Sequence, residues 1–146
     1  VISNITAARA QKVIIIPSGL SEKVEVGDSM ASVTYLKSMG NYVAMLLYNF
    51  NTNTVIAQYD ELSTLMTASV RKDAIQQAQE YQKNNVSSRI VVEAISATDK
   101  TVTVLMRRTK YLLDRPVEEV KLNLFISYVI EYGSFRVTKL EVNDEK

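Results

Sequence analysis

A change in hydrophobic periodicity near the middle of the chain is the feature that most constrains its fold. Before residue 84, apolar residues recur at steps of three and four, which is the period of one face of an α-helix. After residue 87 the pattern alternates, as in a strand with one buried face. Because helices and strands are separated along the chain, the sequence predicts an α+β domain in which helices cover one face of an antiparallel sheet.

Three helices are predicted in the first half of the chain. The first starts at Gly27-Asp28-Ser29, a segment that offers an N-cap, and continues to Phe50 over about 30 Å. The second runs from Thr54 to about Leu65, and the third from about Ser69 to Lys83. Asn84-Asn85 is a suitable end for the third helix because Asn tolerates the left-handed conformation.

Four strands joined by tight turns are predicted in the second half, and two short extended pieces precede the helices. The expected turns are Asp99-Lys100, Asp114-Arg115-Pro116 and Gly133-Ser134. Three successive hairpins imply an antiparallel meander. The expected extended segments are Lys12–Ile16, Ser21–Val26, Arg89–Thr98, Thr101–Leu112, Val117–Tyr132 and Phe135–Val142.

A length of 146 residues suits one domain, which we place at residues 12–142, with 143–146 as a frayed tail. The longest apolar stretches, Val13–Ile16 and Val43–Tyr48, are much shorter than the roughly 20 residues that cross a bilayer. The chain begins at Val1 rather than at Met, so we expect that the native N-terminus lies further upstream.

The composition excludes several classes of chemistry. The chain has no His and no Cys, which removes the usual zinc sites and the Ser-His and Cys-His nucleophile pairs. Its four glycines are scattered and form no phosphate-binding loop. A formal charge of +1 gives no footprint for nucleic acid. We therefore expect no catalytic residue, no metal and no cofactor.

Carboxylates paired with tyrosines leave one catalytic alternative open. The neighbours Asp60-Glu61 point about 100° apart on a helix, and Glu118-Glu119 face opposite sides of a strand, so neither pair converges on one site. A sheet curled around a helix can nevertheless enclose a pocket in which a carboxylate and a tyrosine transfer protons. A small-ligand binding protein or isomerase of this kind would need Asp60 or Asp73 to point inward.

The order and spacing of several segments resemble a known family over roughly residues 12–142. The chain is similar to the periplasmic part of TraE-type conjugative pilus assembly proteins of F-type type IV secretion systems. The segments that carry the resemblance are an apolar strand closed by Pro17, the helix start Gly27-Asp28-Ser29, Tyr35–Met39 within the long helix, Leu46–Thr52 at its end, and the last strand Phe135–Leu140.

This resemblance implies a fold and a role. The fold would be nuclear-transport-factor-like, a cystatin-like cone of three helices on a curved sheet of about four strands. The role would be that of a non-enzymatic scaffold subunit that contacts other secretion subunits and copies of itself on the periplasmic face of the inner membrane. Residues 1–11 would be a juxtamembrane segment after a membrane helix absent from this chain. A generic envelope or virion assembly protein remains an alternative.

Two groups of residues are the candidate interaction surface of such a scaffold. One is on the long helix, at Tyr35, Ser38 and Tyr42. The other is the basic cluster Arg107, Arg108, Lys110 and Arg115, at and after a strand end. The alternative for the basic cluster is that charges on a sheet edge prevent unwanted strand pairing.

Overall fold

The computed structural model describes residues 11–13, 25–27 and 32–145, and for side chains residues 32–144. It contains three helices and a four-stranded antiparallel sheet in the order β3-β4-β5-β6, which confirms the predicted α+β meander. Two short strands, β1 and β2, pair with each other. The elements are β1 Gln11–Val13, β2 Glu25–Gly27, α1 Val33–Tyr48, α2 Val55–Ser63, α3 Ala68–Lys83, β3 Val86–Ala97, β4 Thr101–Leu112, β5 Arg115–Glu131 and β6 Ser134–Glu145.

Both ends of α1 differ from the prediction. The N-cap is Ser32, whose Oγ accepts a hydrogen bond from the backbone N–H of Tyr35 at 3.2 Å, rather than Asp28 or Ser29. Residues 28–31 lie outside the described part of the chain. At the other end the helix stops at Tyr48, because the next apolar residue, Phe50, pairs with the backbone of Ser88 in β3. The described helix has 16 residues and is therefore about 24 Å long.

The strand pattern is confirmed, while two of the three turns lie one residue earlier than expected. The β4–β5 turn is Leu113-Asp114 and the β5–β6 turn is Tyr132-Gly133, and all four residues have positive φ. Such a turn matches the twist of a two-residue hairpin, and proline cannot occupy it because its ring fixes φ near −65°. Arg115 and Pro116 therefore belong to β5.

The final residues are part of the sheet. Asn143, Asp144 and Glu145 pair with Asn123, Leu122 and Lys121 of β5. The expected frayed tail at 143–146 is thus wrong for residues 143–145. The proposed juxtamembrane segment, residues 1–11, lies outside the described residues except for Gln11 in β1.

The core lies between α1 and the inner face of the sheet, which is the face covered by the helices. Alternate residues of β4 and β5 are buried there, as the sequence pattern predicts: Val102, Val104, Met106, Leu122, Leu124, Ile126, Tyr128 and Ile130. The buried stripe of α1 faces them with Leu36, Met39, Val43 and Leu47. The free energy of this apolar contact fixes which way each strand faces.

Gly40 lets α1 approach the sheet closely. A Cβ at this position would lie 2.6 Å from Cγ1 of Val102, which is buried in β4 and fully enclosed. Real carbon atoms do not come so close, so a side chain here must displace either the helix or Val102. The glycine is required for space, although glycine is an unfavourable residue inside a helix.

We predict that Gly40→Ala lowers the free energy of unfolding by about 1–3 kcal/mol, because the new methyl group overpacks the contact with Val102. In a Val102→Ala background, Gly40→Ala should not lower the free energy of unfolding, since the space for the methyl group then exists and alanine favours the helix. Urea denaturation of the four proteins of this cycle measures the coupling. An equal cost of Gly40→Ala in both backgrounds would contradict the role assigned to this contact.

Candidate functional site

The structure separates the three candidate residues of α1. Tyr35 is buried, with its ring 6.5 Å from that of Phe135 in an edge-to-face arrangement, so it belongs to the core and not to an interaction surface. Ser38 is half-buried and donates its hydroxyl to the backbone oxygen of Thr34. Tyr42 is half-buried on the outer side of the helix and donates to the carboxylate of Glu61 in α2. Ser38 and Tyr42 remain available to a partner.

The hydrogen bond between Tyr42 and Glu61 joins the two helices. Burial, and next the hydrogen bond to the Glu61 carboxylate, raise the pKa of Tyr42 to about 12. The phenol is therefore a neutral donor at every physiological pH. Its use in an internal bond holds the outer surfaces of α1 and α2 in a fixed relation.

The basic cluster is divided between the two faces of the sheet. Arg107 lies on the outer face, where it makes ion pairs with Glu93 at 3.3 Å and Glu119 at 4.0 Å. Arg108 is directed to the inner face, because neighbouring residues of a strand point to opposite sides.

Lys110 pairs with Glu118 at 3.6 Å, and Arg115 is exposed at the β4–β5 hairpin. The four cations do not form one patch.

The edge-protection alternative fails for three of these cations. β4 carries Arg107, Arg108 and Lys110, and it pairs with β3 on one side and β5 on the other. An interior strand has no free edge to protect. Lys110 lies directly opposite Glu118 of β5, and Arg107 lies diagonal to Glu119. Both therefore form cross-strand ion pairs, each worth a few tenths of a kcal/mol at such exposure.

Arg108 is the unusual member of the cluster, because its guanidinium is buried without a carboxylate beside it among the described residues. Its Nε donates to Oγ of Ser88 at 2.8 Å, and one terminal nitrogen donates to the hydroxyl of Tyr81 at 3.2 Å. Its Cζ lies 4.7 Å from the ring centroid of Tyr48. The hydroxyls and the aromatic face replace the water that a surface arginine would have.

Two helix ends complete the environment of Arg108. Tyr48 is the last residue of α1, and Tyr81 lies in the last turn of α3. The carbonyl groups at a helix C-terminus carry a partial negative charge, and two such ends stabilise a cation that has no acidic partner. Arg108 thus ties α1, α3, β3 and β4 together at one end of the sheet.

The aromatic residues around Arg108 form a connected cluster. The ring centroids of Phe50 and Tyr81 are 4.9 Å apart, and those of Phe50 and Tyr59 are 6.1 Å apart. The Tyr59 hydroxyl donates to the backbone oxygen of Leu47 at 2.6 Å. Burial raises the pKa of Tyr48 to about 12 and raises that of Tyr59 well above its usual value. Tyr59 is therefore a neutral hydrogen-bond donor to the backbone, while Tyr48 offers its ring face to Arg108.

The sequence reasoning missed Tyr48 and Ser88 as partners of Arg108. One signal was present, since Val102, Val104, Met106 and Arg108 occupy alternate positions of a single predicted strand. That alternation places the arginine on the buried face. The identity of its partners depends on which helix ends come near, and this was not readable from the strand pattern.

Two clefts among the described residues do not meet the requirement of the isomerase alternative. One, of about 370 Å³ between α3 and β6, has Tyr48, Tyr59 and Tyr81 in its wall and Asp73 beside them. Asp73 and Asp60 are both exposed, so neither supplies the buried carboxylate that was required. The other cleft, of about 700 Å³, is lined mainly by polar residues around Ser88 and Tyr111.

We predict that Arg108→Ala lowers the free energy of unfolding by about 3 kcal/mol, because it leaves a cavity and deprives buried Ser88 and half-buried Tyr81 of their partner. Arg107→Ala, one residue away on the outer face, should cost no more than about 0.5 kcal/mol. Chemical denaturation of both variants provides the measurement. Similar costs for the two changes would refute the assignment of Arg108 to the core.

Alkaline titration tests the buried phenols. Their pKa values are higher in the folded protein than in the unfolded chain, so their contribution to stability is complete below pH 10 and is lost as the pH rises toward 12. Each such group should lower stability by up to about 1.4 kcal/mol per pH unit in that range. Urea denaturation at pH 8 and pH 11 should show a smaller difference for Tyr59→Phe than for the parent. Tyr132→Phe, at a position that is 90% exposed, is the control, and equal losses in all three proteins would contradict this explanation.

The sequence matches the family described as "TraE protein" over residues 1–142. No curated protein sequence is a significant match. No helix of the described residues is both long and apolar enough to span a membrane, and these residues hold no group of three or more potential metal ligands.

Several solved structures share the fold at low sequence identity. A TrwG component of the type IV secretion system of Bartonella birtlesii is 14% identical, with a TM-score of 0.68 over 81% of this chain and 96% of that one. VirB8 of Agrobacterium tumefaciens is 13% identical, with a TM-score of 0.59 over 72% and 87%. CagV of Helicobacter pylori, a VirB8 homologue, is 14% identical, with a TM-score of 0.55 over 76% and 98%.

These structures confirm the nuclear-transport-factor-like arrangement of three helices on a curved four-stranded sheet. The family match covers nearly the whole chain, including every helix and most of the last strand. The chain belongs to the TraE family.

Proposed function

We propose that this chain is a scaffold subunit of a type IV secretion apparatus, which assembles the inner-membrane channel and pilus machinery through protein–protein contacts. The observation that carries the proposal is membership of the TraE family over residues 1–142. The shared fold with TrwG and VirB8 proteins, which are components of such systems, supports it. The scaffold acts without catalysis, on the periplasmic face of the inner membrane, and an N-terminal segment outside this sequence anchors it there.

The use of the polar side chains supports a role in contacts. Arg108 and Tyr59 make their hydrogen bonds inside the domain, and Tyr42 joins two helices. These bonds make the domain rigid, and a rigid domain loses little conformational entropy when it binds a partner. No described carboxylate is placed for proton transfer with a neighbouring tyrosine in a buried site.

Two surfaces of the domain carry candidate residues that other subunits can reach. Ser38 and Tyr42 lie on the outer side of α1, and Lys110 and Arg115 lie toward the β4–β5 hairpin. Tyr35 and Arg108 are removed from the surface because they are buried. Each surface can bind a different subunit, because one is on the helical layer and the other is at an end of the sheet.

The proposal predicts that Ser38→Arg and Arg115→Glu, each introduced into the native full-length protein, reduce transfer through the host secretion system by at least about tenfold. Both positions are at least partly exposed, so the melting temperature of the domain should stay within a few degrees of the parent. Gln79→Arg, at an exposed position of α3, which carries none of the candidate residues, is the matched control and should transfer normally.

Transfer and protein abundance in a deletion strain complemented with each variant provide the measurement. Normal transfer by both surface variants would remove these two surfaces from the proposal. Normal transfer in the deletion strain itself would refute the proposed function. Recovery of the native protein in the soluble fraction instead of the membrane fraction would refute its location.

A further inference from the structure

The two edges of the four-stranded sheet are protected to different degrees. On β6, the backbone oxygen of Val137 accepts from the N–H of Thr67, and the N–H of Val137 donates to the oxygen of Leu65, so the α2–α3 connection covers that edge. Beyond this cover β6 carries the charged residues Lys139, Glu141 and Asp144. Charged side chains and a covering segment are the usual defences of an edge strand against pairing with another chain.

The edge of β3 lacks these defences in its middle among the residues that the structure describes. Ser88 exchanges two backbone hydrogen bonds with Phe50, at 2.9 and 3.0 Å, so the backbone of Ser88 faces the edge. Strand geometry repeats every two residues, and the backbones of Ile90 and Val92 therefore face the same edge. Within residues 32–144, no backbone group from another element bonds to either of them on that side. The strand there is Arg-Ile-Val-Val-Glu, residues 89–93, with charges only at its two ends.

This five-residue segment is complementary to itself. If two copies are placed antiparallel with the two Val91 residues opposite each other, Arg89 of each copy lies opposite Glu93 of the other. Ile90 then lies opposite Val92, and these are the residues whose backbones face the edge. Ile90 of one copy and Val92 of the other can exchange two hydrogen bonds only if both backbones face the shared edge. A two-fold axis through Val91 thus pairs the backbone hydrogen-bonding groups and the opposite charges in one register.

We propose that residues 89–93 of β3 form an interface between two copies of this chain, which pair antiparallel and join their sheets across a two-fold axis at Val91. Val91 is 65% exposed on the outer face, and pairing places it against its own copy. The Arg89 guanidinium has no ion pair with another described residue, whereas Glu93 is held on the outer face by Arg107 at 3.3 Å and Lys121 at 3.6 Å. Arg89 of the second copy therefore meets a carboxylate already fixed in position.

The size of this contact predicts a weak dimer. Phe50 occupies the edge at Ser88, and a register shift between Val92 and Ala94 interrupts the strand at the other end. About four backbone hydrogen bonds fit between these limits. The buried area is smaller than the roughly 800 Å² per partner of a standard stable interface. Such a contact becomes effective when copies are held at high local concentration, as in the proposed secretion scaffold. The inference rests on that function only for its use in the cell.

Cysteine cross-linking of the full 146-residue chain tests the two-fold axis. The chain has no cysteine, so Val91→Cys introduces the only thiol, and residues opposite each other in a non-hydrogen-bonded pair lie at disulfide distance. We expect Val91→Cys to form a disulfide dimer under mild oxidation at least about tenfold faster than Val129→Cys, by the rate advantage of proximity. Val129 is also exposed, on interior strand β5. Equal rates for the two variants would overturn the proposal.

Charge reversal supplies an independent readout, sedimentation equilibrium at low ionic strength. Arg89→Glu and Glu93→Arg should each weaken self-association, because each places like charges opposite one another. An equimolar mixture of the two variants should restore association. The first variant is acidic at both positions and the second is basic at both, so each cross-copy pair of the mixed dimer joins opposite charges.

The charge-reversal experiment has two outcomes that would overturn the proposal. One is a parent protein that stays monomeric at millimolar concentration. The other is a mixture of the two variants that associates no better than its components. Neither the cross-linking nor the sedimentation measurement depends on secretion, so failure here leaves the proposed function to be judged by the transfer assay.

Discussion

The close contact between α1 and the inner face of the sheet is the constraint on which the rest of this structure depends. At Gly40 the helix lies so near Val102 that even a methyl group would not fit. This approach buries Leu36, Met39 and Val43 against the inner face of the sheet. A longer separation would leave voids along the whole length of the helix, and unfilled core volume is costly in a close-packed interior.

The position of α1 then determines where its C-terminal end meets the other elements. Phe50, just past that end, pairs with Ser88 and so brings β3 beside the helix terminus. Ser88 in turn accepts from Arg108, whose guanidinium lies beside the last residues of α1 and the last turn of α3. A buried cation is expensive unless it is well compensated. Here hydroxyls, aromatic faces and two helix ends provide the compensation. These contacts fix the arrangement of the elements that meet at this end of the domain.

The surface of the domain follows from the same arrangement. Because the helices cover only the inner face of the sheet, β3 and β6 remain as edge strands, and the outer face carries cross-strand ion pairs such as Arg107 with Glu93. A scaffold can use such a layout well, since the helical layer, the outer face and a strand edge point in different directions. The family relationship supports the proposed role in assembly.

The amino-acid sequence by itself determined the fold class and the orientation of the strands. The alternation of apolar residues from Val102 to Met106 and from Leu122 to Ile126 predicted which face of each strand is buried, because successive residues of a strand point to opposite faces. Asn85 ended α3 with a positive φ of 55°, as expected of asparagine. The segment order that resembles the TraE family was also readable, because the spacing of residues along helices and strands is a local feature.

Only the tertiary structure decided which residues form a site. Tyr35 and Arg108 were predicted to lie on an interaction surface, one on the long helix and one in a basic cluster. Both are buried, because neighbouring elements supply partners for the tyrosine ring and for the guanidinium. The open edge of β3 was likewise invisible to the sequence, because strand order is a property of the assembled sheet. Which residues become partners depends on contacts between elements far apart in the chain, and a local pattern does not identify those partners.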